Sequence, residues 1–301
     1  MITITTPTGQ IGRTVVDRLL GVAELRLLAR DPDRLPAAVR AKAEVVQGSH
    51  EDPDVLAEAC SGAESVFWLV PPNAQAADLD EYYLTFARAA ATAFRTTGVR
   101  RVVNVSTLGR GIAHDAGHLT AALAADDVIA ATGVDQRTLC APYFLENFLN
   151  ATAFIAEHGM FTLPMDGDRP LRTIATADIA AVAAELLLDD SWSGRRDVPV
   201  IGPDELTLDQ MAEVMSEVLG RPVRFQPADA EQYKAALTAH GVSAASADGL
   251  IAMARAQNEQ RVYDSAQRVP RSATTCFAEW CEQVLKPAVA AYERDRAGSA
   301  G

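Results

Sequence analysis

The first residues with chemical potential are Thr5-Thr6-Pro7-Thr8-Gly9-Gln10-Ile11-Gly12, where two glycines stand three apart. Behind a strand and ahead of a helix, this spacing suits a dinucleotide phosphate. Gly9 lets the backbone approach a pyrophosphate, and Gly12 lets the helix lie close to the sheet. The helix's unpaired N–H groups and positive end then face the charge. Thr6 stands where a further glycine would make the tight turn, and Pro7 removes one N–H. Two readings stay open: a phosphate cradle to which the threonine hydroxyl contributes, or a strand–turn–helix connection without a ligand.

Arg30 follows the second apolar run, in LLARDPDRL, where an acidic residue would grip the ribose of NAD. An arginine there accommodates a 2′-phosphate and favours NADP(H); the competing reading is a solvated arginine beside Asp31 and Asp33. His114 and His118, in HDAGH, are candidate proton donors near neutral pH. Their spacing also suits zinc, but no third ligand is evident, so no metal site is expected. Tyr143, Phe144, Asn147 and Phe148 could wall a flat pocket, although Phe144 and Phe148 read equally well as core. The acidic pairs Asp126-Asp127 and Asp189-Asp190 read as solvated helix ends.

The elements that must position these groups alternate. Ile2–Thr5, Leu25–Ala29, Glu44–Gln47, Ser65–Val70, Arg101–Ser106 and Gln136–Ala141 have strand character. Ile11–Leu20, Pro53–Ala59, Ala76–Thr97 and Leu119–Thr132 between them have helical periodicity. Continuously apolar runs such as VFWLV and VVNV suit a parallel sheet covered on both faces. The order predicts an α/β fold, a Rossmann-type doubly wound parallel sheet with its ligand beyond the carboxyl ends of the strands. Residues 1–150 form the expected NAD(P)-binding domain, with 170–200 returning to it as a strand (Leu171–Thr176) and helix (Asp178–Leu188). Residues 151–301 are expected to build mostly a smaller α+β lobe for substrate or partner, with a frayed tail over Arg294–Gly301.

Composition narrows the function classes. A net charge of −13 argues against a nucleic-acid surface, which needs clustered Lys and Arg. Cys60, Cys140, Cys276 and Cys281 lie scattered without a C-x-x-C pair, as reduced thiols of a cytoplasmic protein do. No apolar run reaches bilayer length, so no membrane association is expected.

Taken in order, several blocks resemble the NmrA-like group of atypical short-chain dehydrogenases, which includes NAD(P)H:quinone reductases, triphenylmethane reductases and redox-sensing regulators. Thr6-x-x-Gly9-x-x-Gly12 matches the family's glycine turn, and LLARDPDRL its arginine after strand two. GSHEDPDVLAEACSGAESVFWLVPP, FARAAATAFRTTGVRRVVNVST, AATGVDQRTLCAPYFLENF and TIATADIAAVAAELLLD resemble the blocks that follow, to about residue 200. The resemblance implies that Thr6, Thr8, Gly9, Gln10 and Ile11 line the pyrophosphate of NADP(H) and Arg30 its 2′-phosphate. It implies Val70, Pro71 and Pro72 against adenosine and ribose, Ser106 and Thr107 at the nicotinamide ribose, and Pro142, Tyr143 and Phe144 beside the nicotinamide. Ser49 and Ala141 depart from the family's usual Asp and Arg.

Conventional short-chain dehydrogenases use Tyr-x-x-x-Lys, but no tyrosine here has a lysine four residues on. The three lysines are Lys42, Lys234 and Lys286, so the helix after strand five has none. Hydride transfer to a quinone or related conjugated acceptor does not need that pair, because the acceptor spreads the charge and water can supply the proton. Ser106 and His118 are the catalytic candidates, and His114, His118, Tyr143 and Asn147 the substrate candidates. The expected function is NADP(H)-dependent oxidation–reduction of a flat aromatic small molecule, a quinone or polyketide-type substrate. A non-catalytic NADP-binding redox sensor is the alternative, and a cofactor-free scaffold a third. A homodimer stays open.

Overall fold

The computed structural model describes residues 1–266 and 273–299. Its first half alternates β1 (Ile2–Ile4), α1 (Gln10–Leu19), β2 (Leu25–Ala29), α2 (Ala37–Arg40), β3 (Glu44–Gln47), α3 (Pro53–Cys60), β4 (Ser65–Trp68), α4 (Leu79–Thr97), β5 (Arg101–Thr107), α5 (His118–Ala130) and β6 (Asp135–Ala141). Next come β7 (Tyr143–Phe144), α6 (Thr152–His158), β8 (Met160–Leu163), β9 (Pro170–Ile174), α7 (Thr176–Leu188), β10 (Arg195–Pro199) and β11 (Glu205–Thr207). The chain continues through α8 (Leu208–Leu219), β12 (Arg224–Pro227), α9 (Ala230–Ala239), α10 (Ala244–Glu259), α11 (Phe277–Trp280) and α12 (Lys286–Ser299).

Seven strands form one sheet in the order β10-β6-β5-β4-β1-β2-β3, and every pairing in it is parallel. Strand order reverses between β1 and β4, the switch point where such sheets open a crevice at their carboxyl edge. All four residues of β4 are buried, as two covered faces require. On one face, Val15, Val16 and Leu19 of α1 pack with Ile179, Ala180 and Ala183 of α7. On the other, α3, α4 and α5 contribute Leu56, Phe86, Ala90, Phe94, Ala121 and Ile129. The expected doubly wound α/β sheet is therefore the observed one.

The second half departs from the expectation in one respect. The strand over residues 170–174 does not join the main sheet but sits between β11 and β7 in a three-stranded sheet. The returning strand is β10, paired with β6 from Arg195–Gln136 to Pro199–Cys140. Its opening Arg195-Arg196-Asp197 is exposed, and a charged edge strand lacks an apolar signature. β8 and β12 form a two-stranded parallel ribbon. A separate core in this half gathers Tyr143, Phe148, Phe161, Phe277 and Trp280. The tail is helical through Ser299; Ala300 and Gly301 lie outside the described residues.

Two carboxylates tie distant segments of the chain together. Glu146 accepts hydrogen bonds from the Thr176 N–H at 3.0 Å and the Trp280 indole at 3.3 Å. Asp178 accepts from the Thr274 and Thr275 N–H groups and from the Thr275 hydroxyl, at 3.1, 3.0 and 3.1 Å. Helix α10 crosses the start of α5 with backbone touching backbone. A Cβ on Gly117 would fall 2.3 Å from the Gly249 carbonyl oxygen, and one on Gly249 would fall 2.2 Å from Leu79 Cδ1. The start of α10 is also tied to the loop after β4, since Ser243 and Ser246 donate to the Ala76 and Asn73 carbonyls at 2.5 and 2.7 Å. Among the described residues, no helix is long and apolar enough to cross a membrane.

Candidate active site

A cavity of about 260 Å³ opens at the carboxyl ends of β4, β5 and β6. Its floor is sheet: Val70 and Pro72 after β4, Ser106 and Thr107 ending β5, and Pro142, Tyr143 and Phe144 after β6. Its wall is α5, through His118, Leu119 and Ala122, with Tyr83 of α4 behind. Leu250 and Met253 of α10 and Tyr263 beyond it close the roof. No arginine or lysine is found among the described lining residues.

Nine of the residues singled out in the sequence meet here: Val70, Pro72, Ser106, Thr107, His118, Pro142, Tyr143, Phe144 and Asn147, the last on the exposed rim. Thr6, Thr8, Gly9, Gln10 and Ile11 form the neighbouring β1–α1 turn and helix start, and Arg30 follows β2 on the same edge of the sheet. Pro71 is outside the lining, and its carbonyl accepts from the Tyr82 hydroxyl at 2.9 Å. His114 is exposed and also outside the lining; its backbone exchanges two hydrogen bonds with the Gln260 side chain, at 3.0 and 2.8 Å. Among the described residues, no cluster of three or more His, Cys, Asp or Glu could hold a metal.

His118 begins α5 beneath the roof, with its Nδ1 3.5 Å from the Tyr83 hydroxyl. Burial lowers its pKa, partly opposed by the Ser246 carbonyl, so the imidazole is held neutral near pH 7. Burial raises the phenols of Tyr83, Tyr143 and Tyr263 above their ordinary values, which makes them weak acids.

Asp126 is not a solvated helix end. It is 6% exposed, lines the cavity and sits in a network that saturates its carboxyl group. Asn104 Nδ2 donates to Oδ1 at 2.8 Å, and the Ser106 hydroxyl donates to Oδ2 at 2.5 Å. Gln136 Nε2 supports Asn104 Oδ1 at 3.0 Å, and Arg110 Nη2 stands 3.5 Å from Oδ2. Burial pushes the acid up to about 7, against the opposing pull of the Ser106 hydrogen bond and Arg110. The helical periodicity held the signal: position 126 lies four residues beyond Ala122 and seven beyond Leu119, on the same inward face. Tyr83, Leu250, Met253 and Tyr263 also escaped sequence reasoning, because only long-range packing brings them to the site.

The β1–α1 turn fits a dinucleotide. Gly9 caps α1 without a side-chain hydrogen bond, and no acidic residue occupies the first turn, so the helix's positive end faces outward uncompensated. A Cβ on Gly12 would lie 1.9 Å from the Thr6 carbonyl oxygen, so the close packing expected of that glycine is real. The Thr6 hydroxyl is buried with no hydrogen-bond partner among the described residues. Arg30 is exposed and forms no ion pair among the described residues.

Comparison with known proteins agrees with this geometry. The NAD(P)H-binding family matches residues 7–190. A (4-alkanoyl-5-oxo-2,5-dihydrofuran-3-yl)methyl phosphate reductase of Streptomyces griseus is 33% identical over 241 residues, covering 79% of this chain and 81% of that protein. An NAD(P)H azoreductase of Xenophilus azovorans is 29% identical over 94% of this chain and 97% of its own length. The crystal structure of a triphenylmethane reductase from Citrobacter sp., complexed with NADP(H), superposes with a TM-score of 0.78 at 20% identity, covering 94% of this chain and 99% of the other. With its parallel sheet, glycine turn and carboxyl-edge cavity, the chain belongs to the NAD(P)H-binding family.

Proposed function

We propose that this protein is an NADPH-dependent reductase of a neutral, flat, conjugated acceptor, a quinone or polyketide-type aromatic, working in the cytoplasm. The observation that carries the reading is the roofed apolar cavity beside an uncompensated helix start. When bound, the reduced nicotinamide supplies a hydride. The β1–α1 turn, with Thr6, Thr8, Gly9, Gln10 and Ile11, would hold the pyrophosphate, and Arg30 the 2′-phosphate. Val70, Pro71 and Pro72 would support adenosine and ribose, while Thr107, Pro142, Tyr143 and Phe144 would orient the nicotinamide. The acceptor would lie under Leu250 and Met253, against His118 and Tyr143, with Asn147 at the rim. Excluding water there favours face-to-face stacking over any need for a strong acid.

The lining also argues about charge. The Streptomyces griseus relative is named for a phosphate ester, yet no cation among the described residues lines this cavity to neutralise one. The cavity, about 260 Å³, would be shared by the nicotinamide and the acceptor, which argues for a small ring system. Among the described residues the large exposed hydrophobics are Val22, Ile112, Phe154 and Leu188, scattered along the chain, so the redox-sensor alternative gains no docking patch.

The test is titration with NADPH and NADH by nicotinamide fluorescence, alongside Arg30→Ala, followed by NADPH oxidation on a quinone panel. Loss of charge-assisted hydrogen bonds should weaken NADPH by roughly 10–100-fold in the variant and leave NADH unchanged. If neither nucleotide binds at millimolar concentration, or no quinone is reduced, the reading fails.

A further inference from the structure

We infer that Ser106 and Asp126 form a proton-supply route into the reduction site, fed from a second cavity on the far side of Asp126. This inference rests on the reductase reading above. Asp126 lines two spaces at once: the apolar cavity, and a polar one of about 420 Å³ shared with Arg110, Asp127, Gln136, Thr138 and Asp197. Asp127 and Arg196 of that second space are exposed, so it communicates with solvent. Ser106 lines only the apolar space and Asp126 lines both, with the hydroxyl and the carboxyl 2.5 Å apart.

Reduction of a conjugated carbonyl adds a hydride, and the negative charge appears on the acceptor's oxygen. One proton completes the product. Two other hydroxyls of the lining are already engaged. The Thr107 hydroxyl donates to the Leu108 carbonyl, and the Tyr83 hydroxyl is turned to His118. The Ser106 hydroxyl is too weak an acid to act alone, but it can relay. Its proton moves to the substrate oxygen, the Asp126 carboxylic acid returns one to Oγ, and the resulting carboxylate regains a proton from solvent through the polar space. The sum is acceptor plus hydride plus one proton, with both side chains restored. Ser106 is the catalytic residue, and Asp126 acts through it.

The surroundings suit a carboxyl that must pass between its two forms. Ser106 and Asn104 face it from β5, Arg110 from the loop after β5, and Asp197 from β10. Asp127 lies beside it on α5, and Cys140 on β6 is a thiol that burial holds neutral. Arg110 is shared among Asp126, Asp127 and Asp197, at 3.5, 2.6 and 3.4 Å, so it tempers the charged form without locking it. Burial, reinforced by the Asp197 and Asp127 carboxylates and opposed by Ser106 and Arg110, holds the acid near neutrality, the range in which a proton donor is refilled within a catalytic cycle.

The test uses the full chain, NADPH and 2-methyl-1,4-naphthoquinone, with single-turnover oxidation followed by absorbance. The parent should lose rate as pH rises through about 7. Asp126→Asn and Ser106→Ala should each slow the hydride step at least tenfold and abolish that pH limb. The double variant should be no slower than either single one, and NADPH affinity in Asp126→Asn should stay within threefold. Difference infrared spectra of the chain without nucleotide should show a protonated-carboxyl band that titrates near neutral pH, is absent in Asp126→Asn and shifts in Ser106→Ala. Should Asp126→Asn fail to fold, Ser106→Ala carries both readouts. Parent-like rates and pH profiles in the variants would overturn the relay and leave the reductase reading intact. No reduction of any quinone by the parent would overturn that reading and the relay together.

Discussion

Replacing Asp126 by asparagine should stabilise the protein, and by more at high pH than at low. The carboxyl stands at about 7 in the folded chain against 3.8 as the ordinary value. The sign follows from which state holds the proton. From about pH 4 the unfolded chain releases it while the folded chain keeps it, so stability falls with rising pH until the folded group also ionises near 7. That displacement corresponds to up to about 4 kcal/mol, present in full below the unfolded value and gone above the folded one. Roughly half of it falls between about pH 5.5 and 8.5. Asparagine keeps the geometry, since its oxygen can accept from Asn104 Nδ2 and its amide can donate to Ser106 Oγ. Urea unfolding of parent and variant at both pH values isolates the effect, because titrating groups that do not interact with Asp126 cancel in the difference. The variant's advantage should grow by about 2 kcal/mol across that interval. A constant difference between the two curves would mean that Asp126 ionises as a solvated carboxylate does, and the burial argument would fall.

Gly12→Ala places a methyl 1.9 Å from the Thr6 carbonyl oxygen and 2.7 Å from its carbon, so α1 must lift off the sheet. Such overpacking costs roughly 1–3 kcal/mol and should weaken NADPH at least tenfold; an unchanged Tm and affinity would refute the close-approach account. Asp178→Ala strips the partner from the Thr274 and Thr275 N–H groups and should cost about 1–3 kcal/mol in urea unfolding. Asp178→Asn, which can still accept, should cost less, and equal losses in the two variants would show that charge rather than hydrogen bonding holds that joint.

The parallel sheet was legible because its strands carry their own signal. Leu25–Ala29 and Glu44–Gln47 emerge with the bounds read from apolar runs between turn residues. The short strands of the second half, such as Tyr143–Phe144 and Glu205–Thr207, have no periodicity to read, since partners far along the chain create them. β10 was hidden by its charged opening. At the site, the positions at the carboxyl ends of strands could be listed in advance because parallel topology forces them to one edge. Asp126 was misread because Asp127 beside it is exposed, and a pair of acids reads as one solvated feature although α5 turns their side chains to opposite environments. The roof could not be foreseen: α10 reads as a helix, but nothing local says where it lands.

That landing constrains anyone who would exchange the C-terminal half of this chain for that of a relative to change its substrate. Gly117 leads into the wall helix α5 and Gly249 lies on the roof helix α10, whose backbone fills the space a side chain at position 117 would need. A host half carrying alanine at position 117 would push a transplanted α10 off α5 and leave the cavity open to bulk water, even with every lining residue correct. Chimeras of this fold should therefore keep glycine at position 117, and be screened first for that contact and only then for new specificity.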